Sequence, residues 1–157
     1  MVEFAFVAPL GFLLLLGIIV VSIIVTNFVQ LTNMAREGAR VAAICGAGSA
    51  KNTLPMPDGS GLACTDQNIK SYITDHLVAV PAGSVTPAIY VCTPQTFATC
   101  QSASNLGFTH CYGQAGSIVE VIMSYDQPLY LPLVSNVFQS NPNGTRTLTA
   151  SAQATCE

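Results

Sequence analysis

The feature that most constrains the fold is an uncharged segment near the start of the chain. The residues from Phe4 to Val25 form a run of 22 positions without an ionisable side chain. As an α-helix this run is about 33 Å long, which is enough to cross the hydrocarbon core of a bilayer. A soluble protein that buried so long and so uniformly apolar a helix would need far more than 157 residues. The segment therefore predicts a membrane-spanning helix, with Glu3 as the charged residue directly in front of it.

The flanks of this segment are not those of a secretory signal peptide. A signal peptide has a basic start, a shorter apolar core and a small-residue cleavage site, whereas here the first basic residues, Arg36 and Arg40, follow the apolar run. Taken alone, the positive-inside rule puts the C-terminal part in the cytoplasm, but the cysteines favour the opposite side. We expect that a short basic leader preceded Met1 and was removed, because this satisfies both signals.

Six cysteines follow the apolar run. An even number of cysteines in a small domain is typical of oxidised, extracytoplasmic proteins, and reduced thiols in a cytosolic domain are the less favoured alternative. No CxxC pair occurs, and His76 and His110 lack the spacing of a zinc site. We therefore predict disulfides and no metal site. Other connectivities stay open, and the pairs that we favour are Cys45–Cys64, Cys92–Cys100 and Cys111–Cys156.

Charge is scarce along the whole chain. Charged residues make up 8% of it, against about 25% in typical soluble domains. The apolar run does not explain this, because residues 26–157 hold 12 of the 13 charged residues and are still poor in charge. Such a surface suits packing against copies of itself or a covering of glycan, since a free monomer with few charges is poorly soluble. The net charge of −3 does not favour nucleic acid as a partner.

Helical periodicity continues beyond the apolar run and predicts one helix from about Glu3 to Cys45. A membrane anchor needs only the first half, so the second half must lie on a domain. We expect a helical segment over residues 1–46 and a globular domain over residues 47–157. In the second half, the predicted apolar face holds Phe28, Leu31, Ala35, Val41, Ala42 and Cys45, and the wetted face holds Asn27, Gln30, Asn33, Glu37 and Arg40.

The rest of the chain predicts one short helix and a small sheet. The helix lies within residues 65–80, where Thr65 or Asp66 can cap it. Strands are expected at residues 88–92, 117–125 and 146–156, the last two from their alternation of apolar and polar residues. The fold class is thus α+β, with a long helix carrying a disulfide-stapled domain and an antiparallel sheet of three or four strands. The apolar face of the short helix is predicted to hold Ile69, Ile73 and Leu77, with Val78 as a further candidate.

Three segments resemble the TadE-like proteins, which are pilin-like components of the tight-adherence branch of the type IV pilus superfamily. The segments are "VEFAFVAPLGFLLLLGIIVV", "LTNMAREGARVAA" and "VEVIMSYDQPLYLPLVS" with "TRTLTASAQA". Together they cover roughly residues 2–46 and 117–155, and the second is the most specific. Residues 47–116, which hold four of the six cysteines, carry none of the resemblance.

The resemblance implies a pilin-like subunit of an extracellular tight-adherence pilus with a role in surface attachment. It implies cleavage by a prepilin peptidase, storage in the inner membrane, and extraction by the pilus secretion machinery into a homo-oligomeric helical filament on the cell surface. A minor pilin or a membrane-anchored assembly component is the alternative. The glutamate that is usually fifth in type IV pilins is third here. The candidate subunit contacts are Met1, Glu3, Phe4, Phe6, Pro9, Gly11, Phe12 and Gly17.

Two features of the N-terminal segment leave alternatives open. In an assembly, Glu3 pairs with the α-amino group of a neighbouring chain and favours one axial step, because a wrong step leaves both charges unpaired. In an isolated protomer, it lies solvated at the bilayer interface and at the positive end of the helix dipole. Pro9, Gly11 and Gly17 form either a tolerated kink, as is common in membrane helices, or a segment that bends when subunits pack.

Catalysis and cofactor binding are not expected. No GxSxG, HExxH, P-loop or CxxCH motif occurs, and the adjacent pairs Asp75–His76 and His110–Cys111 are not thereby aligned for nucleophilic chemistry. We expect no enzyme, no cofactor and no electron carrier. Asn143 begins an Asn-Gly-Thr sequon and is a candidate glycosylation site, but Asn-Gly is also a favoured turn dipeptide and the turn is the preferred interpretation.

Overall fold

A computed structural model describes residues 2–46, 54, 64–92, 100–102, 116–129 and 141–156. Its elements confirm the predicted α+β fold, in which a long N-terminal helix is followed by a short helix and an antiparallel sheet. The elements are α1 (Val2–Gly46), α2 (Asp66–Asp75), a 3-10 turn (Ala82–Ser84), β1 (Val85–Cys92), β2 (Gln101–Ser102), β3 (Ile118–Pro128) and β4 (Thr145–Thr155).

The sheet has the order β2-β1-β3-β4 and all its pairs are antiparallel. β3 and β4 pair over their full length, from Ile118 opposite Thr155 to Pro128 opposite Thr145. Alternate side chains point to opposite faces of a strand, and the predicted alternation is confirmed on both strands. The buried face holds Val119, Val121, Met123, Tyr125, Leu148 and Ala150.

The second half of α1 lies on this buried face. Leu31, Ala35 and Ala42 are fully buried in a hydrophobic cluster that also contains the inward side chains of β1, β3 and β4. Most of the α1 residues in the cluster are alanines, which let the helix backbone approach the sheet closely. The hydrophobic core therefore crosses the predicted boundary between residues 46 and 47, and this half of α1 belongs physically to the globular domain.

α2 is shorter than predicted. Its start is as expected, because the backbone N–H of Asn68 donates to the Thr65 hydroxyl at 3.2 Å, and Ile69 and Ile73 are buried. The helix ends at Asp75. Beyond it the backbone N–H of Ala79 donates to Oε1 of Gln30 on α1, at 2.9 Å, instead of continuing the helix. The prediction that Val78 belongs to the apolar face is wrong, since Val78 is 90% exposed.

Two strands extend beyond their predicted bounds at prolines. β1 begins at Val85 rather than at residue 88, and so includes Pro87. Proline cannot donate a ladder hydrogen bond, but β2 pairs only with Tyr90 and Val91. Among the described residues the outer side of β1 at Pro87 is therefore a sheet edge, where a missing N–H does no harm. β3 continues to Pro128, so the irregular segment expected from Asp126 begins later.

Cysteine pairing agrees with the sequence where the structure describes it. Cys92 and Cys100 form a disulfide that joins the end of β1 to the residue before β2. Cys64 and Cys156 are also disulfide-bonded. Their predicted partners are not tested, because the side chain of Cys45 and the whole of Cys111 lie outside the described residues. Glu120 lies near the two sulfurs of the first disulfide, but sulfurs that are already bonded to each other are not thiolate ligands for a metal ion.

Candidate assembly surface

The first half of α1 exposes its large apolar side chains. From Val7 to Val29 all of them except the partly buried Val20 and Ile24 are exposed, by fractions that run from 42% at Ile23 to 70% at Leu10. Leu13, Leu14, Leu15 and Leu16 are all exposed. Because successive residues of an α-helix are about 100° apart, four consecutive exposed residues mean that the helix is uncovered around its whole circumference.

Such a helix is unstable as a free surface in water. Monomeric soluble proteins rarely expose large continuous apolar patches, and full burial of one large apolar side chain contributes about 1.5–3 kcal/mol. The segment Val7–Ile44 is the one described helix that is long and apolar enough to cross a membrane, and none of its most apolar 18 residues is buried. By length and composition the helix is therefore able to cross a membrane.

The predicted contact residues are placed on this half of α1 as far as the structure describes them. Phe12 is among the most exposed side chains, and Pro9 lies inside a helix that continues on both sides of it. A Cβ added at Gly11 or Gly17 would meet no described atom within 4 Å. Within the part of the chain that the structure describes, these glycines therefore have no packing role. Met1 and the side chains of Glu3, Phe4 and Phe6 lie outside the described residues.

Two amide side chains mark the point where α1 enters the domain. Asn27 is 6% exposed and Gln127 of β3 is 3% exposed. The Asn27 amide donates to Oε1 of Gln127, and Nε2 of Gln127 donates to the Pro128 carbonyl oxygen at 3.1 Å. One turn further along α1, Gln30 accepts the Ala79 N–H. α1 is thus tied to the domain, directly after its uncovered half, by one buried hydrogen bond from Asn27 and one exposed hydrogen bond to Gln30.

The predicted faces of α1 are wrong at this junction. Asn27 was assigned to the wetted face and is buried, whereas Phe28 was assigned to the apolar face and is 44% exposed. The physical reason is the Asn27–Gln127 hydrogen bond, because a buried amide is tolerated when its polar atoms are paired. Sequence reasoning missed Gln127, because the predicted strand ended at residue 125 and the observed β3 continues to Pro128.

Removing one member of this pair should destabilise the domain. In Asn27→Ala, Oε1 of Gln127 stays buried without its donor, and we expect a loss of about 1–3 kcal/mol in the free energy of unfolding. Urea unfolding of the detergent-solubilised chain measures it. Asn33→Ala is the matched control, since Asn33 is exposed on the same helix and should change stability little. A double variant with leucine at both positions should recover part of the loss, and an Asn27→Ala stability equal to wild type would contradict the assignment.

A polar turn lies at the end of the sheet that contains Gln127. The Thr147 hydroxyl donates to Oδ1 of Asp126 at 2.6 Å, and Nδ2 of Asn141 lies 2.9 Å from the Thr147 hydroxyl. The backbone N–H of Gly144 donates to the Asn141 carbonyl oxygen. Gly144 has φ +73°, a conformation that favours glycine. Asn143 thus lies exposed in a turn, as preferred from the sequence, and its glycosylation stays a prediction.

Comparison with known protein families found a family model that matches part of the chain. Residues 1–40 match the family described as "TadE-like protein". Over these residues the chain is similar to TadE-like proteins. The matched residues span the uncovered half of α1, the Asn27 junction and the start of the helical segment that packs on the sheet. Curated proteins and solved structures gave no match to the chain. The match agrees with the resemblance seen in the N-terminal part of the sequence.

Proposed function

We propose that this TadE-like chain is a structural subunit of an extracellular tight-adherence pilus that serves surface attachment. The observation that carries the proposal is the uncovered half of α1, which exposes apolar side chains around its whole circumference and is joined without a break to a helix rooted in the domain core. The role is structural, with no catalysis and no cofactor.

The shape of the uncovered surface favours a bundle over a single partner. One partner helix covers only a stripe of apolar residues, whereas Leu13 to Leu16 expose side chains in every direction. Lipid covers such a helix before assembly, and several neighbouring helices cover it in a filament core. The free-energy cost of leaving the membrane is then small, because one apolar environment replaces another.

The partners of the proposed subunit follow from this passage from the membrane into a filament. The precursor is anchored in the inner membrane, a prepilin peptidase removes its leader, and the secretion machinery moves the chain into a homo-oligomeric helical filament. The domain, with its disulfides and few charges, lies on the outside of that filament. No nucleic acid takes part. A minor pilin or a membrane-anchored assembly component is the second candidate, supported by the same helix.

Mass spectrometry of filaments sheared from cells tests the proposal. A structural subunit should be abundant in the sheared fraction and should carry a free or methylated α-amino group at Met1, without a leader. Presence at only a small fraction of the main subunit would support the second candidate. A formylated N-terminus, together with recovery in the membrane fraction alone, would contradict a pilin role and leave only the membrane-anchored assembly component.

Glu3→Gln should lower the filament yield. In the proposed assembly the Glu3 carboxylate pairs with the α-amino group of a neighbouring chain, and removing one partner of a buried ion pair costs about 3–5 kcal/mol. The yield of sheared filament should therefore fall by roughly tenfold or more. Glu37→Gln is the matched control, because Glu37 lies on the domain half of the same helix. An unchanged filament yield and helical rise in Glu3→Gln would contradict the proposal that Glu3 sets the axial step between subunits.

A further inference from the structure

The end of the domain nearest the uncovered helix, which we name the domain base, consists of residues 77–81 and 127–129. Pro128 and Leu129 border a narrow cleft together with Val20, Ile23 and Ile24 of α1. Residues 77–81 are also held beside α1, because the Ala79 N–H donates to Gln30. The domain base thus reaches helix positions that belong to the apolar half.

The length of α1 places the domain base relative to a bilayer. The 21 residues from Phe4 to Ile24 span about 30 Å as a helix, which equals the thickness of the hydrocarbon core. If Phe4 enters at one boundary, Ile24 lies at the other, beside Pro128 and Leu129. Gln30 is only about 9 Å further along the helix, and less than that in depth when the helix is tilted. Residues 77–81 therefore lie at the level of the lipid headgroups.

The chemistry of the domain base suits that layer. Val78 is 90% exposed, the highest value among the large apolar side chains that the structure describes. Residues 77–84 read Leu-Val-Ala-Val-Pro-Ala-Gly-Ser, and the neighbouring residues 141–145 read Asn-Pro-Asn-Gly-Thr, so both loops lack charge. Arg146 is exposed and lies opposite Gln127 in the β3–β4 register. The apolar segment at residues 77–81 can enter the headgroup region. Residues 141–145 are uncharged but polar, and beside them Arg146 can contact anionic lipid, whereas the exposed Asp126 cannot.

We infer that the domain base is a lipid-binding surface, on which the domain rests against the bilayer with Val78 at the boundary between headgroups and acyl chains. This inference rests on the membrane-anchored precursor of the proposed function. Lipid is the proposed partner because the domain base is continuous with the membrane-length helix and because α1 sets the depth of the domain base in the bilayer. The domain is therefore seated on the membrane before assembly, and extraction must break this contact in addition to moving the helix.

Single-tryptophan reporters in the full chain test the inference, because the natural sequence contains no tryptophan. Val78→Trp reports on the domain base and Leu14→Trp on the membrane helix. Ser151→Trp is the matched control, since Ser151 is exposed on β4 and lies about 20 Å along the strand from Thr145. Each variant is reconstituted in phosphatidylethanolamine–phosphatidylglycerol vesicles with and without brominated acyl chains. Bromine in both leaflets makes the readout independent of orientation.

The expected result is a loss of emission for Leu14→Trp and Val78→Trp with brominated lipid, and none for Ser151→Trp. Quenching at position 14 without quenching at position 78 would overturn the inference and leave the membrane anchor intact. A blue-shifted but unquenched Val78→Trp would also overturn it, because a second copy of the chain would then cover the base. Absence of quenching at position 14 would overturn both the inference and the anchored precursor of the proposed function.

Discussion

Replacement of Leu14 by arginine should abolish filament assembly while leaving the globular domain folded. Leu14 is exposed in the middle of the uncovered half of α1. It is far along the helix from Asn27, where contacts with the domain become polar and buried. An arginine at the centre of a membrane helix costs about 2.5–3.5 kcal/mol on insertion scales. In a filament core the same cost recurs in every subunit, so we expect no detectable chain in the sheared fraction.

Two measurements make the Leu14→Arg result specific. Thr149→Arg adds the same charge on the exposed face of β4 and should assemble, which separates a local effect from a change in net charge. Peptide mapping without reduction should still find the Cys92–Cys100 disulfide in Leu14→Arg, which shows that the domain folds. Filaments of Leu14→Arg at wild-type yield would contradict the assignment of this helix to the filament core.

Elements with a strong local period could be predicted from the sequence alone. β3 alternates between inward Val119, Val121 and Met123 and the less buried positions between them, and this period of two is visible without knowledge of the partner strand. α1 is equally clear, because its apolar half has no charge and its second half repeats every three to four residues. The uncovered surface could therefore be located from composition, since an unbroken run of apolar residues defines it.

Features that depend on distant residues could not be predicted. Asn27 is buried because Gln127 accepts its hydrogen bond from 100 positions away, and no local pattern records such a pair. α2 ends early because Gln30 takes the Ala79 N–H, so the apolar Val78 faces outward although its spacing suits a helix face. The domain base is built from these same contacts. For that reason the domain base could not be predicted from the sequence.

Gly38→Ala should destabilise the domain, although alanine is the better helix former. A Cβ at Gly38 would lie 2.5 Å from Cδ1 and 2.9 Å from Cγ1 of Ile73 on α2, and 3.5 Å from Cγ1 of Val121 on β3. Ile73 is fully buried, so its side chain has little room to move away. Overpacking costs about 1–3 kcal/mol, and the gain in helix propensity recovers only about 1 kcal/mol. Urea unfolding in detergent should therefore show a lower free energy of unfolding.

Gly17→Ala provides the contrast, because no described atom lies within 4 Å of its added Cβ and the stability of the domain should not fall. Ile73→Val tests the mechanism. It removes Cδ1 and costs about 0.5–1.5 kcal/mol alone. In the Gly38→Ala background it also removes the 2.5 Å contact, although the 2.9 Å contact with Cγ1 stays, and it should therefore cost less. Additive effects in this double-mutant cycle would contradict the proposed contact. Coupling between the two positions would show that Gly38, inside the TadE-like match, is a glycine required for the packing of α1 against α2 and not for contacts between subunits.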